Sequence, residues 1–262
     1  REPSIITGML IFLFGVGSVY VFCGYVTPYL EQVLGMGTVE ASTTLMAYGV
    51  FCLMTNVVAE NGPQIIGKLA LIIGVAYLGY LIHVVVVYGL SVTFLSKMNP
   101  ITFFKGIAPA MITAFTTTSS NATLPVNIEC CNKMGAEPEI SAFVLPLGAT
   151  INMDGTAIYQ CVAAIFLAKC IGMDLGITQM VTIVVTATLA SIGTAGTSGA
   201  GMIMLAMVLE AVGIPTTYIG IIYGIDRLFD MGRTALNVVG DASCAICVNH
   251  WEAKAAAQKA AK

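Results

Sequence analysis

Five polar residues recur along one face of a stretch near the end of the sequence. The spacings along GIDRLFDMGRTALNVVGD (residues 224–241) are four, three, four and four, for Asp226, Asp230, Arg233, Asn237 and Asp241. On an α-helix these positions fall within about 80° of arc over roughly 22 Å. An ionised group near the centre of a bilayer costs about 2.5 kcal/mol or more unless it is paired or faces a wet cavity. We therefore expect this helix to line a binding site for charged ligands, rather than to form only ion pairs that stabilise helix packing.

A second group of polar residues interrupts an otherwise apolar run over residues 141–169. The segment GATINMDGT sets Thr150, Asn152 and Asp154 between two glycines. Glycines weaken a helix, and an unwound helix exposes backbone carbonyls beside such side chains. Hard cations such as Na⁺ prefer carboxylate, amide and carbonyl oxygens, so the segment predicts a cation site at a break in the helix.

Two further apolar segments each contain a polar stretch in their middle. TTTSSNATLP lies within residues 106–128, and ASIGTAGTSGAG lies within residues 176–211. A helix break inside a bilayer is tolerated only where the segment is buried in protein or lines a polar cavity. The pattern therefore favours two re-entrant hairpins, at about 103–132 and 176–211, over polar loops outside the membrane.

The polar groups of these hairpins suit a ligand. Ser119, Ser120 and Asn121 could donate to a carboxylate beside a half-helix N-terminus. Ser191 and Thr194 lie among glycines that let the backbone approach a ligand and flex. A glycine-rich segment of this kind is typical of a gate.

The composition indicates an integral membrane protein that positions these groups. Hydrophobic residues make up 57% of the chain and charged residues only 10%, whereas soluble domains are about 25% charged. A net charge of −3 and the lack of a basic run exclude a nucleic-acid partner. Because about 20 apolar residues cross a bilayer, we predict spans at about 5–27, 42–59, 66–94, 141–169 and 212–230.

The lysines predict an orientation in the membrane. By the positive-inside rule, Lys97, Lys105 and Lys133 lie on the cytoplasmic side together with the lysines of the C-terminus. Residues 251–262 then form a cytoplasmic tail. The polar-striped helix is expected over 214–250.

Four motifs follow one another along the chain: TTSSNATLP (117–125), LPLGATINMDGT (145–156), ASIGTAGTSGAG (190–201) and GIDRLFDMGRTALNVVGD. In order and spacing they resemble the dicarboxylate/amino-acid:cation symporter family, which includes archaeal aspartate transporters and excitatory amino-acid transporters, over roughly residues 58–250. The resemblance implies an all-α integral membrane fold with transmembrane helices and two re-entrant helical hairpins. It also implies a homotrimer in the cell (inner) membrane. Its members carry out symport of an acidic amino acid or C4-dicarboxylate with sodium or protons, by an elevator-type movement and without an organic cofactor.

The resemblance also assigns roles to matching positions. Arg233 would pair with the side-chain carboxylate of the substrate and Asp230 with its ammonium group, while Asn237 and Ser120 would hold its α-carboxylate. The substrate set it implies is Ser119, Ser120, Thr156, Thr197, Asp230, Arg233, Thr234 and Asn237. The sodium sets it implies are Gly148, Asn152, Asn237 and Asp241; Thr150, Met153, Ser191 and Thr194; and, for part of a third site, Asn152 and Asp154.

The N-terminal part of the chain departs from this pattern. Residues 1–57 do not match the family's N-terminal helices, which form much of the trimeric scaffold, and weakly resemble a helix pair of the major facilitator superfamily. We therefore expect a truncated, fused or rearranged chain. Two alternatives to symport follow: a core that binds its ligands without transporting them, and an efflux fragment built on residues 1–57.

An enzyme active site is a poorer explanation of the five polar residues that share one face of 226–241. An intramembrane aspartyl protease uses two aspartates that share one proton, whereas Arg233 among the acids favours their ionisation. The segment VVGD at 238–241 also lacks the first glycine of the G-x-G-D signature. We therefore predict no catalytic residues. His83, the only histidine in a predicted span, is expected to be a hydrogen-bonded packing residue rather than a proton relay.

Overall fold

Helices account for all of the regular secondary structure in the described part of the chain. The computed structural model describes residues 64–197 and 199–260, together with Thr55 and Gly62. The span predicted at 5–27, and all of that at 42–59 except Thr55, therefore lie outside the described residues.

The first described helix is apolar and contains one wide turn. Helix α1 runs over Gln64–His83, a π-helical turn follows over Val84–Tyr88, and α2 continues over Gly89–Leu95. Together they form 32 residues that are long and apolar enough to cross a membrane. They cover the span predicted at 66–94.

The first predicted hairpin is observed as two helices with a very short link. Helix α3 runs over Pro100–Thr117 and α4 over Ser120–Lys133. Thr118 adopts a left-handed conformation with φ of 53°, which ends α3. The hydroxyl of Ser119 accepts a hydrogen bond from the backbone N–H of Ala122 and so caps α4.

The helix predicted to unwind within 141–169 is observed as two helices. Helix α5 runs over Pro138–Ile151 and α6 over Asp154–Cys170. Asn152 and Met153 lie between them in non-helical conformations. The two helices together are also long and apolar enough to span a membrane.

The second predicted hairpin has a longer, glycine-containing tip. Helix α7 runs over Ile177–Ile192 and α8 over Ala200–Ala211. Gly199 precedes α8 with φ of +81°, a conformation that residues with a side chain rarely adopt.

The polar stripe lies on a helix that begins later than predicted. A 3₁₀ turn at Thr216–Ile219 and a short helix α9 at Gly220–Tyr223 precede α10, which runs over Asp226–Ala260. The helix predicted over 214–250 is therefore interrupted at its start, where Pro215 precedes the 3₁₀ turn, Gly220 begins α9 and Gly224 follows it. At the other end, the helix continues through most of the predicted tail.

Helix α10 is the central element of the described residues. It packs against α1, α3, α4, α5 and α6. Phe229, Leu236 and Val239, which lie off the stripe, are almost fully buried, and so are the polar residues of the stripe itself. Because both faces are covered by protein, the stripe faces other helices rather than lipid.

Candidate functional site

A small cavity lies where the two hairpins and the α5–α6 break meet α10. It holds about 230 Å³ of empty space, part of it open to solvent. Seven of the eight residues predicted to bind substrate line it: Ser120, Thr156, Thr197, Asp230, Arg233, Thr234 and Asn237. Two residues predicted for sodium alone, Met153 and Thr194, also line it, and Asn237 was predicted for both ligands. Segments far apart in the sequence thus meet at one polar cavity.

Arg233 is buried and held from three directions. Its Nε donates to Oδ1 of Asp230 at 2.9 Å, and its Nη1 lies 3.6 Å from Oδ1 of Asp226. The guanidinium carbon also lies 4.6 Å from the centre of the Tyr159 ring. Two carboxylates and an aromatic face compensate the cost of burying this charge.

Two glycines make room for Arg233. A Cβ atom at Gly201 on α8 would lie 2.6 Å from the guanidinium carbon, and one at Gly155 on α6 would lie 2.5 Å from the backbone oxygen of Arg233. Both distances are shorter than any contact that a Cβ atom makes with a non-bonded atom in proteins. Glycine at these positions therefore lets the second hairpin and α6 approach α10 closely.

Asp230 also connects α10 to the tip of the second hairpin. Its Oδ2 accepts a hydrogen bond from the backbone N–H of Gly199 at 2.9 Å. Thr234, one turn further along α10, donates to its Oδ1 at 3.4 Å. The same carboxylate thus contacts both the arginine and the candidate gate.

The tips of the two hairpins contact each other. The hydroxyl of Ser119 donates to the carbonyl of Gly196 at 2.9 Å, and the backbone N–H of Asn121 donates to the same carbonyl at 3.2 Å. Ser119, which was predicted to bind substrate, therefore joins the hairpins and does not line the cavity.

The first predicted sodium set is clustered at the break between α5 and α6. Asn152 donates through Nδ2 to Oδ1 of Asp241 at 2.9 Å and to the backbone oxygen of Asn237 at 3.2 Å. The side chain of Asn237 accepts from the N–H of Gly155 at 2.8 Å. A Cβ at Gly148 would lie 2.6 Å from Oδ1 of Asp241, so this carboxylate rests against the backbone of α5.

The hydroxyls of the second predicted sodium set each donate to a backbone carbonyl three or four residues earlier in the chain. Thr150 is exposed and donates to the carbonyl of Leu147, while Ser191 donates to that of Thr188. Thr194 donates to the carbonyl of Ala190 on the cavity side. Met153 accepts from Nδ2 of Asn237 at 3.1 Å, which joins this set to the first.

Asp154, predicted as a cation ligand, contacts His83 and Tyr88. Its Oδ2 accepts from Tyr88 at 2.7 Å and lies 3.1 Å from Nε2 of His83. His83 is therefore hydrogen-bonded, as expected for a packing histidine.

Sequence reasoning missed two aromatic residues of these clusters. Tyr159 covers the Arg233 guanidinium, and Tyr88 reaches Asp154. Tyr159 lies one turn after Thr156, so helical spacing from that residue could have indicated it. Nothing in the sequence indicates Tyr88, because its contact with Asp154 spans 66 residues.

The described residues contain no group of three or more His, Cys, Asp or Glu side chains that could hold a metal ion. The cation candidates instead combine amide, carbonyl and hydroxyl oxygens with single carboxylates. Such a set suits a hard monovalent ion rather than a transition metal.

Known proteins share these motifs over most of the chain. A profile of the Sodium:dicarboxylate symporter family matches residues 32–251. The putative sodium-dependent excitatory amino acid transporter glt-4 of Caenorhabditis elegans is 45% identical over 193 residues, which are 73% of this chain and 39% of that protein. Excitatory amino acid transporter 3 of Mus musculus is 43% identical over 209 residues, 79% of this chain and 40% of that protein. Excitatory amino acid transporter 1 of Rattus norvegicus is 45% identical over 192 residues, 73% of this chain and 35% of that protein.

The comparisons also set the limits of the resemblance. The family match begins at residue 32, so the predicted start at about residue 58 was too late, and part of the region 1–57 falls within the family. The chain spans about two fifths of the length of the curated relatives it matches. With the profile covering most of its residues, the chain belongs to the sodium:dicarboxylate symporter family, whose members are transporters rather than enzymes.

Proposed function

We propose that this chain forms the substrate-binding core of a sodium-coupled symporter for acidic amino acids or C4-dicarboxylates. The observation that carries the proposal is the buried Arg233, which faces a cavity enclosed by both hairpins. The names of the relatives, which describe sodium-dependent and excitatory amino acid transporters, support the same substrate class.

Substrate binding requires Arg233 to exchange partners. A guanidinium binds a carboxylate best through two parallel hydrogen bonds, but Asp230 occupies its Nε in this structure. An incoming side-chain carboxylate would take over that contact. Asp230 would then be available to the ammonium group of an amino acid, and Asn237 and Ser120 to its α-carboxylate.

The tip of the second hairpin responds to the same exchange. Because Asp230 also accepts from Gly199, a change in its position alters a contact that closes the cavity. Thr197, next to this tip, lines the cavity and would cover the substrate. We therefore assign the gate to residues 193–199.

Sodium would bind at two places beside this cavity. Asp241 and Asn237 would supply a carboxylate and a carbonyl oxygen for the first, and Nδ2 of Asn152 donates to both of these oxygens in this structure. The amide oxygen of Asn152 and the carbonyl of Gly148 would complete the set. The second would use oxygens near Met153 and Thr194, with those of Thr150 and Ser191. Protons are the alternative coupling ion.

Membership of the family also suggests where the protein lies, how it assembles and how it moves. We propose a location in the cell membrane with the C-terminus in the cytoplasm, assembly as a homotrimer, and an elevator-type movement of the core. A chain that binds substrate without carrying it is the alternative. Uptake of labelled aspartate into sodium-free proteoliposomes, with either sodium or choline in the external buffer, separates carriage from binding alone.

The decisive test of the binding site is a change at Arg233. In calorimetry with aspartate, glutamate and succinate in NaCl, Arg233→Lys should bind at least about tenfold more weakly, because lysine keeps the charge but not the paired hydrogen bonds. Arg233→Cys should abolish binding. Arg227→Cys, six residues earlier on α10, is the matched control and should bind normally.

Arg233→Cys leaves two buried aspartates uncompensated, a change that destabilises proteins by about 3–5 kcal/mol. The lysine variant therefore carries the test if the cysteine variant does not fold. Unchanged affinity of Arg233→Lys for all three acids would refute the assignment of Arg233.

A further inference from the structure

A second, larger cavity adjoins the first proposed cation site. It is a groove between α2, α5 and α10 that holds about 970 Å³ of empty space, part of it open to solvent. Gly148, Asn152 and Asp241, which belong to the cation site, line one part of its wall. None of the three lines the smaller cavity around Arg233. The groove therefore gives separate access to the carboxylate of Asp241.

Helix α10 forms one wall of this groove with a regular set of side chains. The face that carries Asp241 continues with Cys244, Val248 and Trp251, at spacings of three, four and three residues. At a rise of 1.5 Å per residue, the groove runs for about 15 Å along the helix from Asp241 to Trp251. It thus has a carboxylate at one end and an aromatic ring at the other.

Large apolar side chains of α2 and α5 form the other walls. Leu95, Leu147 and Ile151 line the groove, and each of them is between 44% and 48% exposed. Trp251 is 52% exposed. An apolar ligand body could therefore contact all three helices, whereas a hydrated ion would lose water contacts against these walls without replacing them.

The carboxylate in the groove has no positive partner among the described residues. Oδ1 of Asp241 accepts from Nδ2 of Asn152 at 2.9 Å, and no hydrogen bond among the described contacts reaches Oδ2. The described residues that line the groove include no lysine, arginine or histidine. A lipid acyl chain would fit the apolar walls but brings no charge to this end, and the carboxylate of a fatty acid brings charge of the wrong sign.

We propose that this groove binds a protonated lipophilic amine, whose ammonium group donates to Asp241 and whose apolar body lies along α10 toward Trp251. Such a ligand combines the positive charge that the carboxylate lacks with the apolar surface that the walls accept. Its ammonium group takes the place of sodium at Asp241, so the two cations compete. The competition rests on the proposed function, whereas binding of the amine needs only the groove and its carboxylate.

The single tryptophan of the chain gives a direct test, because Trp251 lines the groove. The fluorescence of the full chain in nanodiscs of zwitterionic lipid is titrated in choline chloride with octylamine, and separately with octanol. Octanol has the same apolar body without the charge. Octylamine should bind at least about tenfold more tightly, since charge-assisted hydrogen bonds are about twice as strong as neutral ones. Equal affinities of the two ligands would overturn the proposal.

Two substitutions locate the bound amine. Asp241→Asn should remove the preference for octylamine over octanol, and a preserved preference would show that the ammonium group does not reach this carboxylate. Cys244→Phe fills the groove one turn from Asp241 and keeps the carboxylate, so it should weaken both ligands and decides the matter if the first variant does not fold. Ile177→Phe is its control, because Ile177 is exposed at the start of α7 and does not line the groove. Equal affinities of the two phenylalanine variants would place the ligand elsewhere.

Sodium separates failure of this inference from failure of the proposed function. Replacing choline chloride by NaCl should weaken octylamine binding to the parent chain and have no effect in Asp241→Asn, because both cations need the same carboxylate. If octylamine keeps its preference but sodium does not compete, the groove site stands and the sodium site at Asp241 falls. If aspartate binding depends on sodium while octylamine and octanol bind equally, the proposed function stands and the groove site falls.

Discussion

Close packing of the second hairpin against Arg233 predicts the effect of a single methyl group. Gly201 lies at the start of α8, and a Cβ atom there would lie 2.6 Å from Cζ and 2.9 Å from Nη2 of Arg233. Carbon atoms in contact lie about 3.5–4.0 Å apart. In Gly201→Ala, either the guanidinium or the hairpin must therefore move by about 1 Å.

The size of that movement sets the expected loss of affinity. A guanidinium holds a carboxylate through hydrogen bonds of about 2.7–2.9 Å, and a displacement of this size from the proposed substrate position would break one of them. A hydrogen bond to a charged group contributes about 1.5–3 kcal/mol. Because 1.4 kcal/mol corresponds to a factor of ten, we expect Gly201→Ala to bind acidic substrates about ten- to a hundredfold more weakly.

The assay is calorimetry of L-aspartate binding in NaCl, with Gly176→Ala as the matched control. Gly176 precedes α7 in the same hairpin, has φ of −75°, and a Cβ there would meet its first neighbour only at 3.8 Å. This control should bind as the parent does. Equal affinities of the two alanine variants would show that close packing of the hairpin on Arg233 does not determine binding.

Two further substitutions address the cation site and the stability of the fold. Gly148→Ala should weaken sodium binding, because its Cβ would lie 2.6 Å from Oδ1 of Asp241. A sodium titration of the melting temperature would detect this loss. An unchanged titration would argue against a cation at this carboxylate. Asn249→Ala should lower the free energy of unfolding by about 1–3 kcal/mol, because its side chain accepts from the N–H of Glu137 and donates to the carbonyl of Gly135. Guanidinium unfolding would measure this loss, and substrate affinity should not change.

The sequence alone indicates which faces and breaks carry the site. The spacing of the stripe on α10 predicts that its polar residues share one face, and both Asp230 and Arg233 line the cavity. The glycines and polar residues around Asn152 predict the interruption between α5 and α6. These features depend on local periodicity and on backbone freedom, which a sequence displays directly.

The choice of partner across helices was not predictable in the same way. Asp154 shares its segment with Asn152, yet it bonds to His83, 71 residues away. Periodicity gives the direction of a side chain relative to its own helix, but not which helix lies opposite. The π turn adds to this difficulty, because four consecutive valines do not distinguish it from an α-helix.

Helix ends were also hard to predict from composition. The run at 212–230 is apolar enough to suggest a span, but it contains Pro215 and three glycines, and α10 begins only at Asp226. The hydroxyl of Thr150 donates to the carbonyl of Leu147 in the last turn of α5, a local contact that the motif does not indicate.

The charges of the site explain why an acidic substrate should require cations. Asp226, Asp230 and Asp241 are buried on α10 with a single buried guanidinium, that of Arg233. These groups already carry more negative than positive charge when ionised, and an acidic amino acid adds a further net negative charge. Uncompensated charge in a membrane interior is costly, so anion and cation binding must be coupled, and each raises the affinity for the other by the same factor. A chain with this site should therefore bind L-aspartate weakly in choline chloride, and equal affinity in choline and sodium would refute this electrostatic account.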